Sequence, residues 1–303
     1  MNKIGLALSG GGVKSISQLP VIRALNEENI KIDMVSGTSM GSVIAALVSC
    51  GLTSDELTDI VLKLERNIKE KHIFSKPSLK LLPFSKEKLT GGYVDGQELE
   101  DELQKVLDEI GVHNISEVKI PLAIPAVDLT TGKIICFVSH PNEFKTLDPM
   151  WEIVTDIPLA KAVRASCSFP FVIAAMEYQG YMLVDGGVRM NLPLELVEAY
   201  GADKTIAVTM HSNESFHEYN SLMAIATRCM DLMRIEEDYH IVKKADIHIN
   251  VPLDDVWVFE LGKGRFTMDR ADLVIEKHKD DIKALVKKKT LWERIKEELG
   301  GLS

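Results

Sequence analysis

Residues 33–51 read DMVSGTSMGSVIAALVSCG. A short apolar strand runs into the turn Gly37-Thr38-Ser39-Met40-Gly41, and the residues after it are so uniformly small and apolar that the helix they form has no polar face. Strand, Gly-Xaa-Ser-Xaa-Gly and helix, in that order, are the parts of a nucleophile elbow. Glycine at positions 37 and 41 lets the strand and helix approach each other closely. Ser39 then stands at the tip of the turn, where free N–H groups at the helix start, around Ser39 and Met40, can meet a developing negative oxygen. The pentapeptide is also common as a plain tight turn; the flanking strand and helix favour the elbow.

Upstream, Lys3 to Leu8 reads as the first strand, Ser9 to Gly12 as a glycine loop, and Val13 to Asn29 as a helix kinked or restarted at Pro20. The run GGGVKS at 10–15 fails as a phosphate loop. A Walker A sequence requires glycine directly before the lysine, where Val13 stands, and a dinucleotide fingerprint requires a third glycine where Ser15 stands. What survives is a set of backbone N–H groups converging beside a helix start. Next to Ser39, these point to an oxyanion rather than a phosphate.

The 303 residues are 46% hydrophobic and 26% charged, a composition without signs of disorder. A net charge of -10 argues against nucleic-acid partners. Cys50, Cys136, Cys167 and Cys229 are scattered and form no C-x-x-C pair, so neither a metal nor a redox site is expected, and a reducing cytoplasm fits. No purely apolar run is long enough to suggest a membrane span.

After Gly51, Ser54 to Lys71 has helical periodicity. Between 61 and 90, eight Lys/Arg against three Glu leave a local net charge of +5. This basic segment, 63–88, is able to meet a membrane surface or a lipid head group; the alternative is a solvated loop. A helix is expected from Asp95, with Glu98 completing a capping box, to Ile110, ended by Gly111. Ile120–Leu129 and Lys133–Ser139 read as a hairpin, and Ile157–Ser166 as a helix. Val172–Glu177 and Tyr181–Val184 form a second hairpin that delivers Asp185-Gly186-Gly187. Helices at Pro193–Tyr200, near Tyr219–Tyr239 and at Asp269–Lys288 alternate with strands at Lys204–Met210 and Asp246–Val251, which describes an α/β layered domain. That domain is expected over 1–289, with a helical and loop insertion at 52–111 and an amphipathic tail at 290–303.

A serine hydroxyl needs a base to become a nucleophile. Asp185 ends a strand and precedes two glycines, a setting that brings its carboxylate close to another loop. His211 directly follows the strand ending at Met210, so Ser39, Asp185 and His211 also run in the chain order of an α/β-hydrolase triad. The residues alone leave both arrangements open.

The glycine loop at Gly10–Ser15, the turn at Gly37–Gly41 and Asp185-Gly186-Gly187 together resemble the patatin-like phospholipases. Weaker echoes are Ala165-Ser166, Phe169-Pro170, Asn191 and Pro193. The resemblance implies a three-layer α/β/α fold with a mainly parallel central sheet, and a serine acyl hydrolase that works without histidine or cofactor. It makes Ser39 the nucleophile, Asp185 the base, and the backbone of Gly10, Gly11 and Gly12 the oxyanion hole. Lys14, Gly37, Met40, Gly41, Gly186 and Gly187 are its supporting motif residues. The chain departs from the family at Ser15, usually glycine, at Lys14, often arginine, and at Gln18 and Pro20, commonly histidine and glycine. These departures bear on the packing of the first helix and the shape of the acyl pocket.

The expected reaction is two-step acyl transfer from a lipid ester to Ser39 and then to water, with burial raising the basicity of Asp185. A lipid-binding scaffold protein without activity, and an acyltransferase, are the alternatives. Head group, chain length and oligomeric state are not legible.

Overall fold

In the computed structural model of the chain, residues 2–78, 80, 91–146, 148–211 and 222–286 are described. The first half contains β1 (Ile4–Leu8), a 3-10 helix over Gly12–Gln18, α1 (Leu19–Glu27), β2 (Met34–Gly37), α2 (Met40–Ser49), α3 (Ser54–Glu70), α4 (Gln97–Ile110), β3 (Leu122–Asp128) and β4 (Ile134–Val138). There follow β5 (Trp151–Val154), α5 (Leu159–Ser166), β6 (Met176–Tyr178), β7 (Tyr181–Asp185), α6 (Leu194–Ala199), β8 (Lys204–Thr209), α7 (Leu222–Ile241), β9 (Ile247–Asn250) and α8 (Gly264–Val286).

The strands form one sheet in the order β5-β4-β3-β2-β1-β8-β9, with β7 on β3 and β6 on β7. Pairing is parallel from β3 through β2, β1 and β8 to β9, and between β4 and β5, while the two hairpins are antiparallel. Side chains alternate between two cores, as the pleat requires. Leu6, Leu8, Val35, Ile206 and Val208 face a large core shared with α1, α2, α3, α4, α5 and α8. Ala7, Met34, Ala123 and Ala207 face a smaller one, closed by Leu194, Leu196 and Val197 of α6. The fold is thus α/β, a mainly parallel sheet between two helical layers.

One feature of the sheet brings the two sequence motifs together. The edge of β3 opposite β4 pairs first with β2, at Val35–Leu122 and Ser36–Ala123, and then with β7, at Ala126–Asp185. Because β2 runs parallel to β3 and β7 antiparallel, their C-terminal ends face each other along that edge. Ser36 and Asp185 lie opposite positions three residues apart on β3, about 10 Å.

Several expectations change. The first helix is a 3-10 segment that restarts as α1 at Leu19, with Pro20 in its opening turn. The capping box at Asp95 is not formed: Gly96, in the left-handed region at φ 83°, precedes α4 without a side-chain cap. Arg164 packs beneath Gly96 and donates to the Asp95 carbonyl at 2.6 Å, and the Asp95 carboxylate pairs with Lys80 instead. The strand β5 has only four residues and lies beyond what periodicity reads; α8 begins five residues earlier than expected.

The basic segment is less cationic in space than in sequence. Lys63, Lys71 and Lys80 pair with Glu109, Glu102 and Asp95, while Lys86 and Lys88 lie outside the described residues, as does the 290–303 tail. Among the described residues, no helix is long and apolar enough to cross a membrane.

Candidate active site

Ser39 joins β2 to α2 at φ 53° and ψ −131°, outside the regions that an L-residue ordinarily occupies. Such a backbone costs on the order of 1–3 kcal/mol and is held by its surroundings. Here, the surroundings are tight. A Cβ at Gly37 would come within 2.3 Å of the Gly41 carbonyl oxygen, and one at Gly41 within 2.6 Å of the Ser9 carbonyl oxygen. Ser39 donates its own N–H to Ser166 Oγ at 3.0 Å, and Thr38 Oγ1 donates to the Met190 carbonyl at 2.8 Å. The weaker motif at Ala165-Ser166 therefore bears directly on the elbow.

Asp185, at the end of β7, is wholly buried and accepts the N–H of Gly187 at Oδ1, 2.7 Å away. Burial raises its pKa above the usual aspartate value, against the opposing pull of Arg234, the Ser39 hydroxyl and the Gly187 N–H. The Ser39 hydroxyl is thus within interaction range of the carboxylate, yet Asp185 Oδ2 has no completed hydrogen bond among the described residues. Such contacts commonly tighten only around substrate.

Arg234 was invisible to motif reading. From α7, its Nη2 stands 3.7 Å from Asp185 Oδ1, its Nε donates to the Gly187 carbonyl at 2.9 Å, and its guanidinium lies 4.9 Å from the centre of the Phe169 ring. It is a nearly buried cation over a wholly buried carboxylate. Its position favours the charged form of Asp185 without consuming both carboxylate oxygens.

The glycine loop needs one correction. Gly10 donates its N–H to the Asn191 carbonyl at 3.1 Å, so that group is already engaged. The N–H groups of Gly11, Gly12 and Met40 have no acceptor among the described residues, and all three residues line the same cavity as Ser39. Gly12 has φ 58°, and a Cβ there would strike the Val258 carbonyl, so its place in the loop demands glycine. Among the family departures, Gln18 is buried and donates to the Ser9 carbonyl at 2.8 Å, whereas the buried Ser15 hydroxyl has no partner among the described residues.

His211 is not joined to Asp185. Its Nε2 pairs with Asp238 Oδ2 of α7 at 2.8 Å, and the same oxygen accepts from Asn191 Nδ2 at 2.7 Å. The Ser39–Asp185–His211 relay is therefore not assembled, although His211 also lines the cavity.

The cavity above Ser39 has a volume of about 550 Å³. Val61, Leu64 and Ile68 of α3, with Phe74, Phe169 and Phe259, make an apolar wall suited to an acyl chain. Another part of the lining is a polar wall, built from Thr227, Asp231 and Arg234 of α7, with Lys14 and Asp254. Burial holds Lys14 below the usual lysine range, against the attraction of Asp231, Asp254 and Asp255.

Relatives of the chain are similar to it over this scaffold. An uncharacterised NTE family protein of Mycobacterium bovis is 30% identical over 213 residues, 70% of this chain and 50% of the relative. Lysophospholipase NTE1 of Mycosarcoma maydis is 30% identical over 69% of this chain and 10% of its own length, and neuropathy target esterase sws of Drosophila melanogaster 26% identical over 70% and 13%. The chain thus spans half or less of these relatives. VipD from Legionella pneumophila aligns with a TM-score of 0.49 at 14% identity, over 91% of this chain and 67% of that one. Residues 6–197 match the patatin-like phospholipase family, a span that runs from β1 through the elbow and Asp185 into α6; the chain belongs to that family.

Proposed function

We propose that the protein is a serine lipid acyl hydrolase of the phospholipase A or lysophospholipase type, with Ser39 as nucleophile and Asp185 as base. The observation that carries this reading is the strained Ser39, which lines a cavity with one apolar wall and is set beside a wholly buried carboxylate. Family membership makes a lipid ester the substrate class, and relatives named lysophospholipase and esterase agree with it.

In the first step, Asp185 takes the proton of Ser39 Oγ as that oxygen attacks the ester carbonyl carbon. The carbonyl oxygen becomes an oxyanion, received by the N–H groups of Gly11, Gly12 and Met40; one such donor is worth roughly 3 kcal/mol. The ester C–O bond then breaks, and the departing alkoxide receives the proton from Asp185. Water repeats the sequence on the acyl-Ser39, with Asp185 again the base, and releases the fatty acid. Arg234 acts through Asp185, keeping it ionised and oriented, and is a positioning residue.

Incubation with phospho-, lysophospho- and neutral glycerolipids, followed by product analysis, tests the reading. Free fatty acid from the wild type and none from Ser39→Ala is expected. An acyl chain moved to an alcohol acceptor would make the protein an acyltransferase, and no product from any lipid would leave a binding protein of the same fold.

A further inference from the structure

Most helices on a protein surface turn apolar residues inward and polar ones to water. Helix α7 does the reverse. Its inner side carries Thr227 and Asp238, both buried, and the nearly buried Arg234, all turned toward the site. Its outer side carries Ile225, Leu232 and Met233, exposed to 40%, 51% and 71%, together with the exposed Cys229. The spacing 225, 229, 232, 233 is that of a single stripe along a helix, about 12 Å long. Across Lys14 from α7, the segment holding Asp254 and Asp255 leads to Trp257, a cavity-lining residue that is 58% exposed.

We propose that this outer stripe of α7 is a lipid-docking surface, which rests in the interfacial layer of a zwitterionic phospholipid bilayer and holds the cavity mouth against it. The proposal builds on the lipid hydrolase reading, for one side of α7 is a wall of the substrate cavity and the other is its apolar outer stripe. A long-chain lipid ester resides in a bilayer and not in water, so the exposed apolar groups carried by the elements that line the cavity, the α7 stripe and Trp257, are where its source would lie. Exposed tryptophan suits that boundary, being apolar in body with one polar N–H. The stripe ends at Glu236 and His240, both exposed, and Lys243 and Lys244 follow, which limits contact to shallow insertion in the plane of the interface. With a net charge of -10, the chain gains nothing from an anionic surface, so burial of apolar area drives the contact.

The experiment is flotation of the full chain with phosphatidylcholine vesicles, in a Ser39→Ala background to prevent turnover. It compares that protein with one also carrying Leu232→Ser and Met233→Ser, after matched melting curves show both folded. Expected is at least a tenfold loss of vesicle-bound protein on adding the two serines, with binding of the parent unchanged by added salt. In the active background, the same two changes should lower hydrolysis of vesicle phospholipid about tenfold, while turnover of a monomeric short-chain ester stays as it was. Equal flotation of the two proteins would overturn the proposal. So would light scattering that shows a dimer, split by the two serines, with no vesicle binding by either form, since the stripe would then face a second copy of the chain. If the parent floats and the variant does not, yet no ester is ever cleaved, the docking surface stands and the hydrolase reading falls. Ester cleavage with no dependence of flotation on the stripe gives the opposite result.

Discussion

The floor of the cavity and its roof are built from different materials. At the floor, β1, β2 and the elbow pack small residues so closely that Gly37 and Gly41 have no room for a Cβ, and the strained Ser39 is held between close-packed neighbours. At the roof, which is the polar wall formed by α7, charged side chains reach the site: Arg234 over Asp185, and Asp238 onto His211 and Asn191. The floor fixes where the reacting atoms stand, and the roof sets their charge. Loss of a floor group should therefore remove the reaction, whereas loss of a roof group should shift its pH dependence.

The largest effect belongs to the floor. Ser39→Ala is expected to lower ester hydrolysis by at least about 10⁴-fold, measured as fatty acid released. Asp185→Asn comes next, with a loss of about 10³-fold, the scale of a missing general base. It should also raise the melting temperature at neutral pH. The sign follows from burial. Because the folded state holds the Asp185 proton more tightly than the unfolded state, the wild type loses stability as pH rises from the ordinary aspartate range through the raised folded value. The asparagine variant has no such loss, so its advantage should vanish in acid.

The roof gives smaller and more conditional effects. Without the Arg234 cation, Asp185 would protonate at higher pH, so Arg234→Met should move the acid limb of the activity profile upward. Activity would fall roughly tenfold at neutral pH and recover in alkali. Arg234→Lys should restore part of the shift. His211→Ala should cost less than about tenfold at any pH, since its imidazole is joined to Asp238 and not to Asp185. A loss as large as that of Asp185→Asn would erase the distinction between floor and roof.

The same contrast explains what was legible in the amino-acid sequence. The floor is local: glycine spacing, a strand before and a helix after identify the elbow without knowledge of the rest of the chain. Asp185 was legible by its glycines, and the sheet supplies the reason it meets Ser39, through the shared edge of β3. Arg234 and Asp238 were not, because they lie on the polar inner side of a helix, and periodicity searches for an apolar one. The engagement of the Gly10 N–H by Asn191 depends on two loops far apart in the chain, and no local pattern records it. Four-residue β5 and the left-handed Gly96 at the start of α4 were missed for a related reason: Arg164 and the neighbouring strand decide them, not their own sequence.

The most direct test of the Ser39–Asp185 site is intact-mass analysis after treatment with a fluorophosphonate. The account expects one covalent adduct, located on Ser39, absent from Ser39→Ala, strongly slowed in Asp185→Asn and nearly unchanged in His211→Ala. No adduct on the wild type, an equal adduct on Ser39→Ala, or labelling that depends on His211 as much as on Asp185 would contradict it.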